Sequence, residues 1–342
     1  MFNAATLAAA LFAATLSSCT DMPAAQPGDA GVGGLAPATL PVVLADAGDD
    51  DCGMREAFIA ADANTPGGRA PVWGPAEDPA RGPAMFAAPL NVNTDGTRRS
   101  YSVDDPAGRS FAFNNVCNAM AGYCRGLSPA AREARFALLR QARDQGWPPD
   151  LLPQTQLSSN VVPRAADGRV CPELEVGGRR YLVSATALAD PRAGGACAID
   201  RYVDALTVPA LVLQGGTNGF TRRGVRVGDA VVAWRPGLAA PVYAVAGDTG
   251  PAERLGEGSI ALNGALLGRV GEPSNYLQVR AEYVVPRAYV LVFPGTRDAT
   301  RPRVTADRIE ASAREAFSAW GGGSEARAFA RLRTCAAAID RR

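Results

Sequence analysis

The 342-residue chain contains no histidine, and all 35 of its basic side chains are arginine because lysine is absent as well. Without histidine, Ser-His and Cys-His catalysis, histidine-ligated zinc and the usual neutral-pH proton shuttle are excluded. Without lysine, a Walker A loop and Schiff-base chemistry are excluded. Any acid–base chemistry must therefore come from Asp, Glu, Tyr or Cys.

An excess of charge of either sign is also missing. The 34 acidic side chains nearly balance the arginines, and the formal net charge is +1. This balance gives no reason to expect nucleic acid or an anionic membrane surface as a partner. Hydrophobic residues make up 47% of the chain, which is enough for a sizeable core. We therefore expect a globular protein, monomeric and without a nucleic-acid partner.

The N-terminal residues predict export. Residues 1–18 form a short apolar segment that ends in Leu16-Ser17-Ser18-Cys19. This pattern resembles a bacterial lipoprotein signal in which Cys19 becomes the lipidated first residue, although the initial MFN lacks the usual Arg or Lys. The alternative is an ordinary secretory signal with a cysteine nearby. Both interpretations predict export, either secreted or held at the cell envelope by a lipid anchor alone.

Composition divides the next part of the chain in two. Residues 19–75 are rich in Ala, Gly, Pro and Asp, which predicts a flexible tether. Residues 76–170 predict a helical and loop part of the folded domain. Its helix should begin with Ser128 as N-cap and Pro129 in the first helical position, and end before Gly146.

Residues 171–320 carry short strand signals that Gly and Pro separate, which favours an all-β barrel or sandwich. The predicted strands are 180–185, 207–213, 224–227, 230–234, 241–246 and 287–293. No alternation of strands and helices supports a parallel α/β sheet. Helices are predicted over 305–320 and in the C-terminal segment 321–342. We therefore expect a mainly β protein with flanking helices.

Six cysteines remain once Cys19 is set aside, and an even number in an exported protein predicts three disulfides. Fifteen pairings are possible, and spacing does not choose among them. Our working hypothesis is Cys117–Cys124, Cys171–Cys197 and Cys52–Cys335. Zinc is the rival interpretation, but the chain has neither a CxxC pair nor a histidine. We expect no metal and no cofactor.

The strongest candidate site lies in residues 241–262, PVYAVAGDTGPAERLGEGSIAL. Pro241 to Ala246 predicts a buried strand, Asp248 follows it, and Glu257 comes nine positions later. Taken alone, turn chemistry is the simpler explanation of Asp248, and a solvated helix start is the simpler explanation of Glu257. The many glycines around both residues favour close approach of a ligand.

The segment VYAVAGDTGPAERLGEGSIAL resembles the core motif of glycoside hydrolase family 75, the chitosanases. Other stretches match the family pattern, and the motifs come in the same order. They are NVNTDGTRRSY (91–101), RYVDALTVPALVL (201–213) with GVRVGDAVVAW (224–234), and YVLVFPGT (289–296). The resemblance spans residues 85–320 and implies a six-stranded, double-psi-like β-barrel as the catalytic core.

The resemblance also implies an endo-acting glycosidase that hydrolyses β-1,4 links in chitosan with inversion, and the family's catalytic Asp and Glu fall on Asp248 and Glu257. Inversion needs a carboxylic acid and a carboxylate about 6.5–9.5 Å apart. We assign Glu257 as general acid and Asp248 as general base, although a helix start after Glu257 would argue for the reverse.

A polycationic substrate would also need an acidic, aromatic-lined cleft. Candidate substrate-binding residues are Tyr202, Asp204 and Asp95, although a core aromatic and capped turns explain them equally well. Two further functions are alternatives: a catalytically silent lipoprotein that binds cell-wall polysaccharide, and an enzyme acting on peptidoglycan, including one that cleaves murein without water.

Overall fold

The computed structural model describes residues 52–342. In chain order, strands β1 to β10 are Met54–Ala61, Arg69–Pro75, Ala84–Asn93, Leu174–Val176, Arg179–Tyr181, Ala210–Gln214, Ala230–Trp234, Val242–Gly250, Glu257–Ser259 and Val285–Phe293. Helices α1 to α6 are Pro129–Asp144, Gly219–Arg222, Ile260–Leu267, Tyr276–Glu282, Ala306–Trp320 and Glu325–Asp340. The predicted signal peptide, Cys19 and the tether up to residue 51 lie outside the described residues.

Six strands close into a barrel in the order β3–β10–β7–β8–β6–β9, and β9 pairs with β3 to complete the ring. The β8–β6 and β9–β3 pairs are parallel, and the other four are antiparallel. Strands β1 and β2 form a hairpin that continues the sheet from β3. The predicted mainly β fold with a six-stranded barrel and flanking helices is confirmed.

Strand β7 shows how the barrel is packed on both sides. Val231 and Ala233 belong to the core inside the barrel. Val232 and Trp234 alternate with them and pack outward in a second core with Phe317 of α5 and residues of α6. Strands buried on both faces have near-continuous apolar sequences, which is why this stretch gave a clear strand signal.

Most of the predicted strands overlap observed ones, and three need correction. Residues 224–227 form no strand because the carboxylate of Asp229 accepts hydrogen bonds from Arg226 N (2.7 Å) and Arg297 N (3.0 Å), which shapes a turn there. The strand predicted over 180–185 is limited to β5. Strand β8 continues four residues past the predicted end at Ala246, so Asp248 lies within a strand instead of after one.

Residues 54–75 correct the predicted tether over 19–75. They form the β1–β2 hairpin, which pairs from Met54–Pro75 to Ala61–Arg69 with one irregularity between Glu56 and Phe58. Strand β2 in turn pairs with β3 through Val72 and Trp73. The barrel also draws β3 from the predicted helical and loop part, so the core is not confined to residues 171–320.

The predicted helices are confirmed, and local chemistry fixes their ends. The Ser128 hydroxyl oxygen accepts from Ala131 N over 3.2 Å, and Pro129 opens α1. Helix α5 begins one residue after the predicted start at 305 and ends at the predicted residue 320. The C-terminal segment forms α6, where Ser324 accepts from Arg327 N over 3.3 Å.

All three disulfides of the working hypothesis are present: Cys52–Cys335, Cys117–Cys124 and Cys171–Cys197. Cys52–Cys335 ties the residues before β1 to α6 across a sequence separation of 283. Disulfides of this number are typical of exported proteins in an oxidising compartment. Within residues 52–342, no helix is both long enough and apolar enough to cross a bilayer.

Candidate active site

Asp248, Val212 and Glu257 form one row across three neighbouring strands. Asp248 on β8 pairs with Val212 on β6. The antiparallel pairing of Leu211 with Gly258 then places Glu257 of β9 beside Val212 on the other side of β6. Side chains opposite each other in a sheet lie on the same face. The two carboxylates therefore share one face and lie on either side of Val212.

A β-bulge at Gly247 gives Asp248 this orientation. The β6–β8 register passes from Leu211–Ala246 to Val212–Asp248, which leaves Gly247 without a partner on β6. Ala246 belongs to the core inside the barrel, and strict alternation would point residue 248 the same way. A bulge adds one residue and re-aims the side chains that follow. Asp248 consequently points to the outside of the barrel.

Geometry limits the separation of the two carboxyl groups. The backbones of β8 and β9 are two strand spacings apart, roughly 10 Å. The Glu257 Oε2 atom reaches back across β6 and lies 3.9 Å from the position that a Cβ atom would take at Gly250, two residues beyond Asp248. The two carboxyl groups therefore face the same surface across β6, with a backbone spacing on the same scale as the carboxyl separation of an inverting pair.

Close packing explains the glycines on either side of Glu257, against backbone at Gly256 and against a side chain at Gly258. A Cβ atom at position 256 would lie 1.8 Å from the Pro89 carbonyl oxygen. At position 258 it would lie 2.2 Å from Oδ1 of Asn263. The next residue, Ser259, caps α3, because its hydroxyl oxygen accepts from Leu262 N over 3.0 Å. The Gly-Glu-Gly-Ser motif therefore fixes Glu257 where β3, β9 and the start of α3 meet.

The Asp248 carboxylate accepts three hydrogen bonds. Its Oδ1 accepts from the backbone N atoms of Ala187 (2.9 Å) and Thr249 (2.8 Å), and its Oδ2 accepts from Nδ2 of Asn93 (3.3 Å). Burial outweighs these donors and raises the pKa of Asp248 from 3.8 to about 6. A carboxylate that is ionised at neutral pH yet more basic than usual suits a general base.

Glu257 is buried more deeply than a surface carboxylate, with 19% of its side chain exposed. Burial raises the pKa of Glu257. The Arg254 guanidinium, 3.7 Å from Oε1, opposes this effect, whereas the Asp248 charge adds to it. A carboxyl group whose pKa is raised keeps its proton to higher pH, as a general acid requires.

Asp95, one of the three candidate substrate-binding residues, places a third carboxyl group at the site. Ser184 Oγ donates to Asp95 Oδ1 over 3.0 Å, and the Tyr101 hydroxyl also hydrogen-bonds to this carboxyl group. Burial first, and then the charge of Asp248, raises the pKa of Asp95 to about 7. Asn93 joins the two, since its Oδ1 accepts from Asp95 N over 2.5 Å.

The three carboxyl groups line one open cleft of about 580 Å³. Its floor is the outer face of β3, β9, β6 and β8, and its walls include the Cys117–Cys124 loop and α4. Further polar and aromatic side chains at its edges are Asn64, Tyr123, Arg125, Arg254, Tyr276 and Arg280. A cleft of this size can accommodate a segment of a chain-like ligand beside the three carboxyl groups.

Tyr202 and Asp204, the other two predicted substrate-binding residues, are not among the side chains that line this cleft. The Tyr202 ring is buried beside the Cys171–Cys197 disulfide, and its hydroxyl donates to the Ala196 carbonyl oxygen over 2.8 Å. The Asp204 carboxylate accepts from Leu206 N over 3.0 Å and so caps a turn. Tyr202 is therefore a core aromatic residue, and Asp204 caps a turn.

The sequence prediction missed Asn93 and Arg254, which contact the two central carboxylates. A weak signal for Asn93 was present: Asn91 and Asn93 alternate at the end of a strand, immediately before Asp95-Gly96. Arg254 carried no pattern that separates it from a solvated loop residue.

Within residues 52–342, no group of three His, Cys, Asp or Glu side chains is arranged to hold a metal ion.

Comparison of the chain with models of protein families and with curated proteins gives no match. The resemblance to glycoside hydrolase family 75 therefore depends on the motifs quoted above.

Proposed function

We propose that this protein is an endo-acting glycoside hydrolase that cleaves β-1,4 links in a glucosamine-containing polysaccharide with inversion. The observation that supports this proposal most strongly is the row formed by Asp248, Val212 and Glu257. It sets two carboxyl groups on one face of the barrel, at one cleft and on either side of Val212, which is the kind of arrangement that an inverting pair requires.

The environments of the two carboxyl groups support one assignment of roles. Glu257, whose pKa is raised by burial, donates its proton to the glycosidic oxygen as the bond to the anomeric carbon breaks. Asp248, ionised and held by three donors, takes a proton from the water that attacks the anomeric carbon from the opposite face. The product then has the inverted configuration.

The substrate panel for a test follows from the glucosamine requirement. Chitosan, chitin oligosaccharides and purified peptidoglycan would each be incubated with the full chain, and new reducing ends would be measured. We expect release from at least one of them. If the protein binds these polymers but cleaves none of the three, the proposal is overturned and a polysaccharide-binding protein is favoured.

Product analysis separates hydrolysis from cleavage without water. Hydrolysis adds one water molecule to each cut, whereas a lytic enzyme leaves an anhydro end, and mass spectrometry distinguishes the two. Proton NMR of the first product reports its anomeric configuration. We expect a hydrated product of inverted configuration, and an anhydro end would show that the chemistry has been misassigned.

We further propose that Cys19 is lipidated and anchors the enzyme to the cell envelope. The Leu16-Ser17-Ser18-Cys19 motif supports this proposal, and the disulfides support export. Expression with a labelled fatty acid tests it. Wild-type protein should incorporate the label and Cys19→Ala should not, whereas equal labelling of both would contradict the anchor.

A further inference from the structure

Two Tyr–Arg pairs border the cleft on separate segments of the chain. The Arg125 guanidinium lies 5.2 Å from the centre of the Tyr123 ring, after the second cysteine of the Cys117–Cys124 loop. The Arg280 guanidinium lies 5.7 Å from the centre of the Tyr276 ring, on α4. Sugar rings pack readily on aromatic faces, so each pair combines an apolar platform with a positive charge.

Tyr123 is held at the cleft by a strained backbone conformation. Tyr123 and Cys124 adopt φ angles of 53° and 52°, in the left-handed region that bulky residues rarely occupy. The Cys117–Cys124 disulfide closes the loop that imposes this conformation. Tyr123 is 43% exposed although it is a large aromatic residue. Strained backbone and an exposed aromatic together at a cleft are typical of a ligand contact.

The arginines of these pairs retain capacity to bind an anion. Arg280 is exposed and forms no ion pair with any carboxylate of the described residues. Arg125 has a single distant partner, Glu253 at 3.9 Å, and both side chains are more than half exposed. A guanidinium group offers a planar pair of donors that matches a carboxylate. The cleft expected to attract a polycation is therefore bordered by positive charge.

We propose that the natural substrate of this cleft is a hexosamine glycan that carries carboxylates, which pair with Arg125 and Arg280 while neighbouring sugar rings pack on Tyr123 and Tyr276. This inference depends on the proposed glycosidase function and narrows its substrate class. The carboxylates could belong to a lactyl ether on the sugar, as in peptidoglycan strands, or to a uronic acid that alternates with the hexosamine.

Binding can be measured separately from cleavage with the full-length Glu257→Gln variant. The probes are peptidoglycan glycan strands, a uronate–hexosamine polymer, chitosan, and each carboxylate polymer after chemical reduction of its carboxyl groups to alcohols. We expect tighter binding to at least one carboxylate polymer than to chitosan, and a loss of roughly tenfold or more when its carboxyl groups are reduced. The two carboxylate polymers distinguish the lactyl source from the uronate source.

Variants of the rim connect this preference to particular residues. Arg125→Gln and Arg280→Gln should each weaken binding of the carboxylate polymer by roughly tenfold without changing binding of the reduced polymer. Arg132→Gln, an exposed position on α1 away from the cleft, is the matched control and should bind like the parent. Added salt should weaken binding of the carboxylate polymer more than binding of the reduced polymer.

Two results would overturn the inference: tighter binding of chitosan than of both carboxylate polymers, or wild-type binding by the Arg125→Gln/Arg280→Gln double variant. The first result, with chitosan hydrolysed, would leave the glycosidase proposal intact. A different result would separate the two proposals in the other direction. If wild-type protein binds a carboxylate polymer through these arginines but never cleaves it, the proposed ligand class is supported and the hydrolase function is overturned.

Discussion

Asn93 donates a hydrogen bond from Nδ2 to Asp248 Oδ2 over 3.3 Å, although the two residues are 155 positions apart in the chain. The contact joins the end of β3 to β8 across the cleft floor. It exists because β9 pairs with β3 and β6 pairs with β8, which brings these strand ends to one place. The donor stabilises the ionised form of the carboxylate that we propose as the general base.

Asn93→Ala should therefore make Asp248 harder to ionise. We expect the acid limb of the kcat/KM profile to move to higher pH by about one unit and kcat at neutral pH to fall about twofold, with little change in KM. Asn160→Ala, in an exposed loop, serves as the control. An unchanged pH profile with a lower kcat would show that Asn93 acts through structure alone.

Asp95→Asn should change stability in a pH-dependent way. The pKa of Asp95 is raised from 3.8 to about 7 in the folded protein, so the folded state holds this proton more tightly than the unfolded state. The contribution of Asp95 to stability is complete below pH 4 and is lost as the pH rises towards 7. At pH 8 the variant should be more stable than wild type by about 1–2 kcal/mol.

Urea unfolding of both proteins at pH 8 and pH 4 measures that difference. The stability gain of Asp95→Asn should largely disappear at pH 4, because this pH lies close to the unfolded-state pKa of 3.8 and far below the folded-state pKa of about 7. The same variant should leave the acid limb in kcat/KM nearly unchanged, because Asp95, with a pKa of about 7, is mostly protonated where Asp248, with a pKa of about 6, titrates. Equal stability differences at both pH values would contradict the raised pKa.

Gly247→Ala tests the bulge that orients Asp248. A Cβ atom at this position would lie 2.8 Å from the Ala210 Cβ atom on β6, so β8 must shift. We expect a loss of about 1–3 kcal/mol in unfolding free energy. We also expect that the variant which remains folded has lower activity than wild type. Gly195→Ala, where a Cβ atom meets nothing within 4 Å, is the matched control and should be neutral.

The disulfides should separate stability from binding. Cys52 and Cys335 close a loop of 283 residues, so replacing both with Ala should lower the unfolding free energy by about 4 kcal/mol with little effect on KM. Cys117 and Cys124 are only seven residues apart. Their double replacement should cost less stability but raise KM, because it releases Tyr123. Thermal melts and kinetics of both variants check this contrast, and the reverse pattern would contradict it.

Much of the barrel was predictable because its strands are buried on both faces. The apolar run of β7 was located without error, and β8 and β10 were located to within a few residues. The β1–β2 hairpin was missed because its Ala, Pro and Gly content resembles a linker. Only pairing with β3 and the Cys52–Cys335 disulfide make that segment a sheet.

The candidate site was partly predictable, for a different reason. The glycines around Glu257 are required by close packing of backbone and side-chain atoms, so they left a visible motif. The orientation of Asp248 depends on the bulge at Gly247, which is a property of strand register and cannot be deduced from alternation in one strand. Tyr202 and Asp204 were misjudged because local turn and core contacts produce the same residue pattern as a binding site.

The central claim is that Asp248 and Glu257 act as a pair, and initial rates of polysaccharide hydrolysis test it most directly. The comparison needs wild type, Asp248→Asn, Glu257→Gln, the double variant, and Glu315→Gln as an exposed control on α5. Each single variant should lose roughly 100-fold or more in kcat, the double variant should lose little beyond that, and the control should retain full activity. Hydrolysis at the wild-type rate by both single variants would contradict the account.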